Sequence, residues 1–144
     1  MFYGEYEHTI DEKNRLTLPA RFRHELAGGV VLARGLDGNV DVYPRGTWRE
    51  TVESRIAALD PLTRKARDLR RHVFSGAAEV ELDAQGRVLV PPRLSEHAGL
   101  GREVVVAGVH DHLEIWNRSS WEKEMKAIEG SAGDVAERLA DRRD

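Results

Sequence analysis

Residues 11–21 read DEKNRLTLPAR, and residues 83–93 read DAQGRVLVPPR. Asp11, Arg15, Pro19 and Arg21 fall on Asp83, Arg87, Pro91 and Arg93, each pair 72 positions apart, with a branched apolar run between them. A phrase repeated this closely marks an internal duplication, and the fold is expected to consist of two like halves. Working outward, the match continues at a spacing of 73 after one inserted residue. Val31-Leu32-Ala33 then lies on Val104-Val105-Val106, Gly35 on Gly108, Tyr43 on Trp116 and Trp48 on Trp121. Two copies are too few for a solenoid, so a pseudo-symmetric pair packed against itself is expected.

Each copy has the same local grammar. Glu79-Val80-Glu81-Leu82 alternates polar and apolar, Asp83-Ala84-Gln85-Gly86 is turn chemistry, and Arg87-Val88-Leu89-Val90 reads as a returning strand. That predicts a β-hairpin with its tip at 83–86. Pro91-Pro92 suits the first turn of a short helix that buries Leu94 and Ala98 and stops at Gly99. Copy one offers Pro19, Phe22 and Leu26 before Gly28-Gly29. A second hairpin follows, around Leu36-Asp37-Gly38-Asn39 in copy one and His110-Asp111-His112 in copy two. Each copy then closes with an amphipathic helix. Thr47 to Glu50 has the form of a capping box, with Trp48, Val52, Ile56 and Leu59 as the buried stripe. Its counterpart starts at Ser119, with Glu122 three residues on, and is expected to bury Trp121, Met125 and Ile128.

Between the copies, Asp60-Pro61 predicts a helix start, with Leu62, Ala66, Leu69 and Val73 on one face and Arg64, Arg67 and Arg71 opposite. The expected organisation is a first repeat over 1–59, a connecting basic helix over 60–76, a second repeat over 77–130 and a fraying polar tail over 131–144.

Composition excludes several classes. The chain has 144 residues, no cysteine and 33% charged residues, which is an ordinary soluble globular composition without disulfides or thiolate metal sites. No apolar run approaches a membrane span, and MFYGEYEHTIDEK has no basic start followed by an apolar stretch, so a cytoplasmic location is expected. The net charge of -3 decides little, because Arg64 to Arg71 (RKARDLRR) concentrates cations locally. No phosphate-cradling glycine loop with a lysine, no nucleophile-elbow serine and no HExxH is present, so no enzymatic activity is expected. His110-Asp111-His112 reads as a turn rather than a metal site, since its counterpart Asp37-Gly38-Asn39 has no histidine and no further ligand pair is evident. No cofactor is expected.

The start MFYGEYEHTIDEKNRLTLPARFR, the second DAQGRVLVPPRL, the following EHAGL and the aromatic in LEIW resemble the MraZ family. Its members are bacterial regulators of the division and cell-wall cluster within the AbrB-like swapped-hairpin superfamily. The resemblance covers roughly residues 1–130. It implies an α+β fold, a small pseudo-twofold swapped-hairpin β-barrel built from two β-α-β repeats with flanking helices. It also implies a homo-oligomeric ring, nucleoid association, and double-stranded DNA as partner, at short G-rich direct repeats that include the promoter of its own operon. Neither a membrane nor a small-molecule substrate is implied. Antitoxins share such hairpins, so a partner-binding role is the alternative.

The chemistry of the repeated turn agrees with a DNA role. An arginine fork can take phosphate oxygens, or guanine O6 and N7, in bidentate fashion, and the major groove admits a two-stranded ribbon. Arg15 and Arg87 are the foremost candidates, Lys13 next, with Asn14 and Gln85 as adjusters. Two readings of the arginines stand side by side: contact with DNA, favoured by the resemblance, or an internal ion pair with Asp11 and Asp83 that ties the turn. Asp11 and Asp83 would repel phosphate and are read as turn anchors. Arg21 and Arg93 stand open between structural and phosphate-binding roles. The basic helix is open between plain surface, DNA contact and subunit contact. Copy one has Asn14 where copy two has Gly86, a position where positive φ is expected.

Overall fold

Four of the six strand pairings join one copy to the other, and two lie within a copy. The computed structural model describes residues 1–141. In copy one, β1 (Glu5–Thr9) and β2 (Arg15–Thr17) lead through a short 3-10 turn (Ala20–Phe22) to β3 (Val30–Arg34), β4 (Val40–Pro44) and helix α1 (45–57). Helix α2 (Arg64–Ser75) connects to copy two, which holds β5 (Ala78–Val80), β6 (Arg87–Leu89), α3 (Pro92–Ala98), β7 (Glu103–Gly108), β8 (Leu113–Asn117) and α4 (Arg118–Asp141). A six-stranded antiparallel sheet runs in the order β1-β7-β8-β4-β3-β5, and β2 and β6 form a separate two-stranded ribbon.

The hairpin expected with its tip at 83–86 is therefore corrected. Backbone bonds close the turn (Gly86 N–H to Asp83 O, 2.9 Å; Asp83 N–H to Arg87 O, 3.0 Å), but the arms then part. β5 joins β3 of the other copy and β6 joins β2 of the other copy. The local turn signal is sound; each arm finds its ladder in the other copy. The second hairpins form as expected, β3 with β4 and β7 with β8. The sheet is open, with β1 and β5 as its edges, so no closed barrel is found among the described residues. β1 connects to the ribbon through a single bridge, Ile10 to Leu16, instead of a ladder.

A pseudo-twofold axis is visible in the register. Leu16 and Val88, equivalent at a spacing of 72, stand directly opposite each other in the ribbon. Asp41 and Glu114, equivalent at 73, do the same between β4 and β8. The alignment of Val31 with Val104 slips by one. Val30, Leu32, Val104 and Val106 share the main core, whereas Val31 and Ala33 face the other side of the sheet. Side chains alternate along a strand, so a slip of one would turn the wrong face inward; β3 and β7 are equivalent at a spacing of 74, and the turn at 35–39, one residue longer than its counterpart, restores 73.

The main core fills the space between the inner face of the sheet and the inner face of the ribbon, with Leu16, Leu18, Val88, Val90, Leu94 and Ile115 almost fully buried. A second cluster lies on the outer face of β3 and β4, where Trp48 and Tyr43 pack with Val73 of α2 and with Val52, Ile56 and Leu69.

The helix ends agree only partly with expectation. α3 starts at Pro92 and stops at Gly99 in the left-handed conformation, as expected. Copy one has only a 3-10 turn there; Ala20 replaces the second proline that pre-sets helical φ. α1 starts at Arg45 behind Pro44, contains a wide π turn over Trp48–Glu53, and has no capping box. The cap of α2 is Thr63, whose Oγ1 accepts from the Ala66 N–H, because Asp60 is spent on the preceding turn. Leu62 is consequently outside the helix and 86% exposed. Asn117, not Ser119, caps α4, its Oδ1 accepting from the N–H groups of Ser119 and Ser120.

α4 departs most from expectation. It continues to Asp141 where a fraying tail was expected, and none of its residues is buried, Trp121, Met125 and Ile128 included. The cause is the asymmetry of the duplication: α2 covers the face of α1, and among the described residues no second such helix covers α4. Ala132, Ala136, Glu137, Arg138, Leu139 and Ala140 are strong helix formers that extend the helix regardless. No helix among the described residues is long and apolar enough to cross a membrane.

Candidate nucleic-acid interface

The repeated phrase folds into the same turn twice. In copy one, Asp11 Oδ1 accepts from the backbone N–H of Lys13 and of Arg15, each at 2.9 Å, and Oδ2 accepts from Arg15 Nε at 2.7 Å. In copy two, Asp83 does the same for Gln85 and Arg87, at 2.9, 2.9 and 2.7 Å. The backbone bond from Arg15, joined by the side-chain bond and by Lys13, holds the Asp11 carboxyl below the usual carboxylate range; Arg87 and Gln85 act alike on Asp83. A depressed pKa means that the ionised anchor contributes above the unfolded value near ~4 and is lost only as pH falls through the lower folded value.

The internal ion pair and an outward arginine turn out to be compatible. Only Nε of Arg15 is engaged by Asp11, so the carboxylate fixes the plane of the guanidinium and leaves its Nη edge unbonded among the described residues. Arg87 adds one bond from Nη2 to Gln85 Oε1 at 3.3 Å. The two side chains are 33% and 27% exposed.

The ribbon brings the turns together. Arg15 is opposite Leu89 and Arg87 opposite Thr17, so the arginines are diagonal neighbours across the axis, ~7–8 Å apart at the backbone. Because Leu16 and Val88 point into the core, alternation turns Arg15, Thr17, Arg87 and Leu89 to the outer face. Further bonds from Val90 N–H to Asn14 O (2.8 Å) and Leu18 N–H to Gly86 O (3.0 Å) tie each turn to the opposite copy's strand. All five residues singled out in the sequence flank this face: Lys13 and Gln85 are exposed, Asn14, Arg15 and Arg87 half-buried.

Asn14 and Gly86 both have positive φ, at 59° and 75°. They differ because of their surroundings. A Cβ on Gly86 would run into the Arg23 side chain, whereas the position equivalent to Arg23 in copy two is the smaller Ser95. Gly86→Asn should therefore destabilise the fold by about 1–3 kcal/mol in denaturant unfolding, and adding Arg23→Ser should recover part of the loss. Asn14→Gly should cost less than about 1 kcal/mol.

Several other basic groups have partners. Arg64 and Arg71 both pair with Asp68, Arg67 bonds to Pro61 O, and Arg70 bonds to Ala57 O at 2.8 Å. Arg21 donates to Tyr6 Oη at 2.8 Å and stands over the Phe22 ring.

The duplication has a counterpart in comparison with known proteins. The family profile described as "MraZ protein, putative antitoxin-like" matches twice, over residues 1–72 and 73–143. The chain belongs to the MraZ family. Similar curated relatives are each named transcriptional regulator MraZ. The one from Roseiflexus castenholzii is 46% identical over 143 residues, 99% of both chains. That from Moorella thermoacetica is 49% identical over 142 residues, 98% of both, and that from Heliobacterium modesticaldum 47% over the same span and shares. The two matches meet between residues 72 and 73, inside the segment read as the connecting helix.

Proposed function

We propose that this chain is a sequence-specific DNA-binding transcriptional regulator that acts as a ring on short direct DNA repeats, including those upstream of its own operon. The carrying observation is the outer face of the β2–β6 ribbon. It presents two arginines related by the pseudo-twofold axis, each pre-oriented by an aspartate whose own backbone is held in a tight turn. A guanidinium already fixed in plane loses little entropy on docking, and a ribbon of this size fits a major groove ~12 Å wide. The names of the relatives support the regulatory role.

Oligomerisation is supported by α4. Trp121, Met125, Ile128, Ala132, Val135 and Leu139 follow a four-three spacing, the seam of a packed helix pair, yet Ile128, Val135 and Leu139 are 44%, 47% and 59% exposed. One subunit offers few base contacts; several subunits on repeated boxes multiply weak sites into tight binding.

Fluorescence-anisotropy titration of wild-type protein on upstream DNA and on a scrambled duplex of equal length tests the reading. The upstream fragment should bind at least ~1000-fold tighter, and affinity should fall steeply with salt. Equal, weak binding to both would reject it. The family description favours, as a second reading, an antitoxin-like partner-binding role; co-purification of a stoichiometric protein partner in place of DNA binding would select it.

A further inference from the structure

On the sheet face turned away from the ribbon, Asp41 of β4 and Glu114 of β8 stand directly opposite each other on the pseudo-twofold axis. Their neighbours Val40, Val42, Leu113 and Ile115 point into the main core, which turns the two carboxylates outward. Like charges opposite each other across strands are destabilising, so this pair requires a cation between its members.

His112 occupies that position. Its Nε2 lies 3.6 Å from Asp41 Oδ1 and 3.5 Å from Glu114 Oε2. Both distances exceed a good hydrogen bond, ~2.7–3.2 Å. They match instead the ~3.4 Å between two ligand atoms that share a tetrahedral zinc ion at ~2.0–2.2 Å. Each ligand residue is also held by a hydrogen bond, which for His112 and Glu114 comes from behind and for Asp41 falls on the ligand oxygen itself. Nδ1 of His112 meets Asp111 Oδ1 at 2.7 Å, so with the proton on Nδ1 the Nε2 lone pair faces the two carboxylates. Asn39 Nδ2 donates to Asp41 Oδ1 at 2.8 Å, and Trp116 Nε1 donates to Glu114 Oε1 at 2.9 Å, leaving Oε2 for the cluster. The Tyr43 ring stacks on the imidazole at 4.3 Å and 9°, fixing its plane.

We propose that Asp41, His112 and Glu114 form a binding site for a zinc-type divalent cation, with one imidazole nitrogen and two carboxylate oxygens as ligands and the remaining position open to water. The three side chains are 14–19% exposed, enough for a solvent ligand and too little for a fully hydrated ion. One nitrogen and two oxygens suit zinc or cobalt better than magnesium, which prefers six oxygens. The ion would join β4 to β8 where the two copies meet over only three residue pairs, and so clip the halves together. The ion would take the place of any proton on Nε2, so binding should weaken as pH falls.

The inference is independent of DNA binding and is tested on untagged full-length protein stripped with a chelator. Titration with Co2+ at about pH 8 should give the visible absorption of low-coordinate cobalt, saturating near one equivalent, and Zn2+ should bleach it. Zn2+ should also raise the thermal midpoint reversibly. His112→Gln, Asp41→Asn and Glu114→Gln should each weaken binding by at least ~10-fold, while His110→Gln, on the neighbouring turn, should not. The isosteric carboxylate variants keep the test valid should the histidine variant fold poorly. No stoichiometric cobalt signal in the wild type, or unchanged binding in the Asp41 and Glu114 variants, would overturn the site.

Discussion

The Arg15→Ala/Arg87→Ala double variant should bind upstream DNA at least ~100-fold more weakly while remaining folded. One bidentate arginine contact to a base is worth about 1–3 kcal/mol, and two are removed per subunit. The slope of log affinity against log salt should also flatten by about one for each phosphate that is no longer neutralised. Folding should be little affected, because the ion pairs with Asp11 and Asp83 lie at the surface, where such pairs contribute little. Each single variant should fall between wild type and the double. Asp83→Asn adds a sharper discrimination. It removes an anion from the DNA face, which by charge alone would strengthen binding, but it also puts an NH2 donor in place of the oxygen that holds Arg87 Nε and so releases the guanidinium, while the remaining oxygen can still accept from the Gln85 and Arg87 N–H groups. If orientation of the guanidinium governs docking, this variant binds more weakly than wild type. Unchanged DNA affinity in the double variant with a lowered unfolding midpoint would assign both arginines to structure alone.

The second large effect is expected from α4. Val135→Glu/Leu139→Glu places two charges on the exposed seam and touches nothing in either core. Light scattering should show the assembly reduced to single chains or small species. Stability of the individual chain should change by no more than about 0.5 kcal/mol, as for other surface substitutions. Affinity for a fragment with several DNA boxes should fall ~100-fold or more, and affinity for a single box should barely change, because the substitutions remove avidity and leave the DNA-facing ribbon intact. A variant that assembles like wild type would show that the stripe is not a subunit seam.

How much of this was legible in the sequence depended on whether the deciding forces were local. The turn at Asp11–Arg15 and its copy at Asp83–Arg87 are closed by bonds within five residues, so the phrase announced them and its substitution of Asn14 for Gly86. The aromatic pairs Tyr43–Trp48 and Trp116–Trp121, with ring centroids 5.6 and 5.7 Å apart, were likewise readable as equivalents. Strand partners were not. Each arm beside the turn has a neighbour a few residues away and another more than forty away, and the alternating pattern is identical for either choice. The burial of α4 was over-read for a related reason: its stripe matches that of α1, and only the presence of α2 beside one of them separates covered from uncovered. His112 belongs with Asp41, far away in sequence, and no spacing rule within His110-Asp111-His112 points there.

The central claim is that the outer face of the β2–β6 ribbon meets DNA and the basic connecting helix does not. A photo-crosslinking side chain placed at Leu89, 55% exposed between the two arginines, can be compared with one at Leu62, 86% exposed beside the start of α2. On irradiation with upstream DNA, the protein labelled at position 89 should form a covalent adduct that excess unlabelled upstream duplex suppresses, and the protein labelled at 62 should form none. Adducts at 62 with none at 89 would contradict the claim and move the interface to the basic helix.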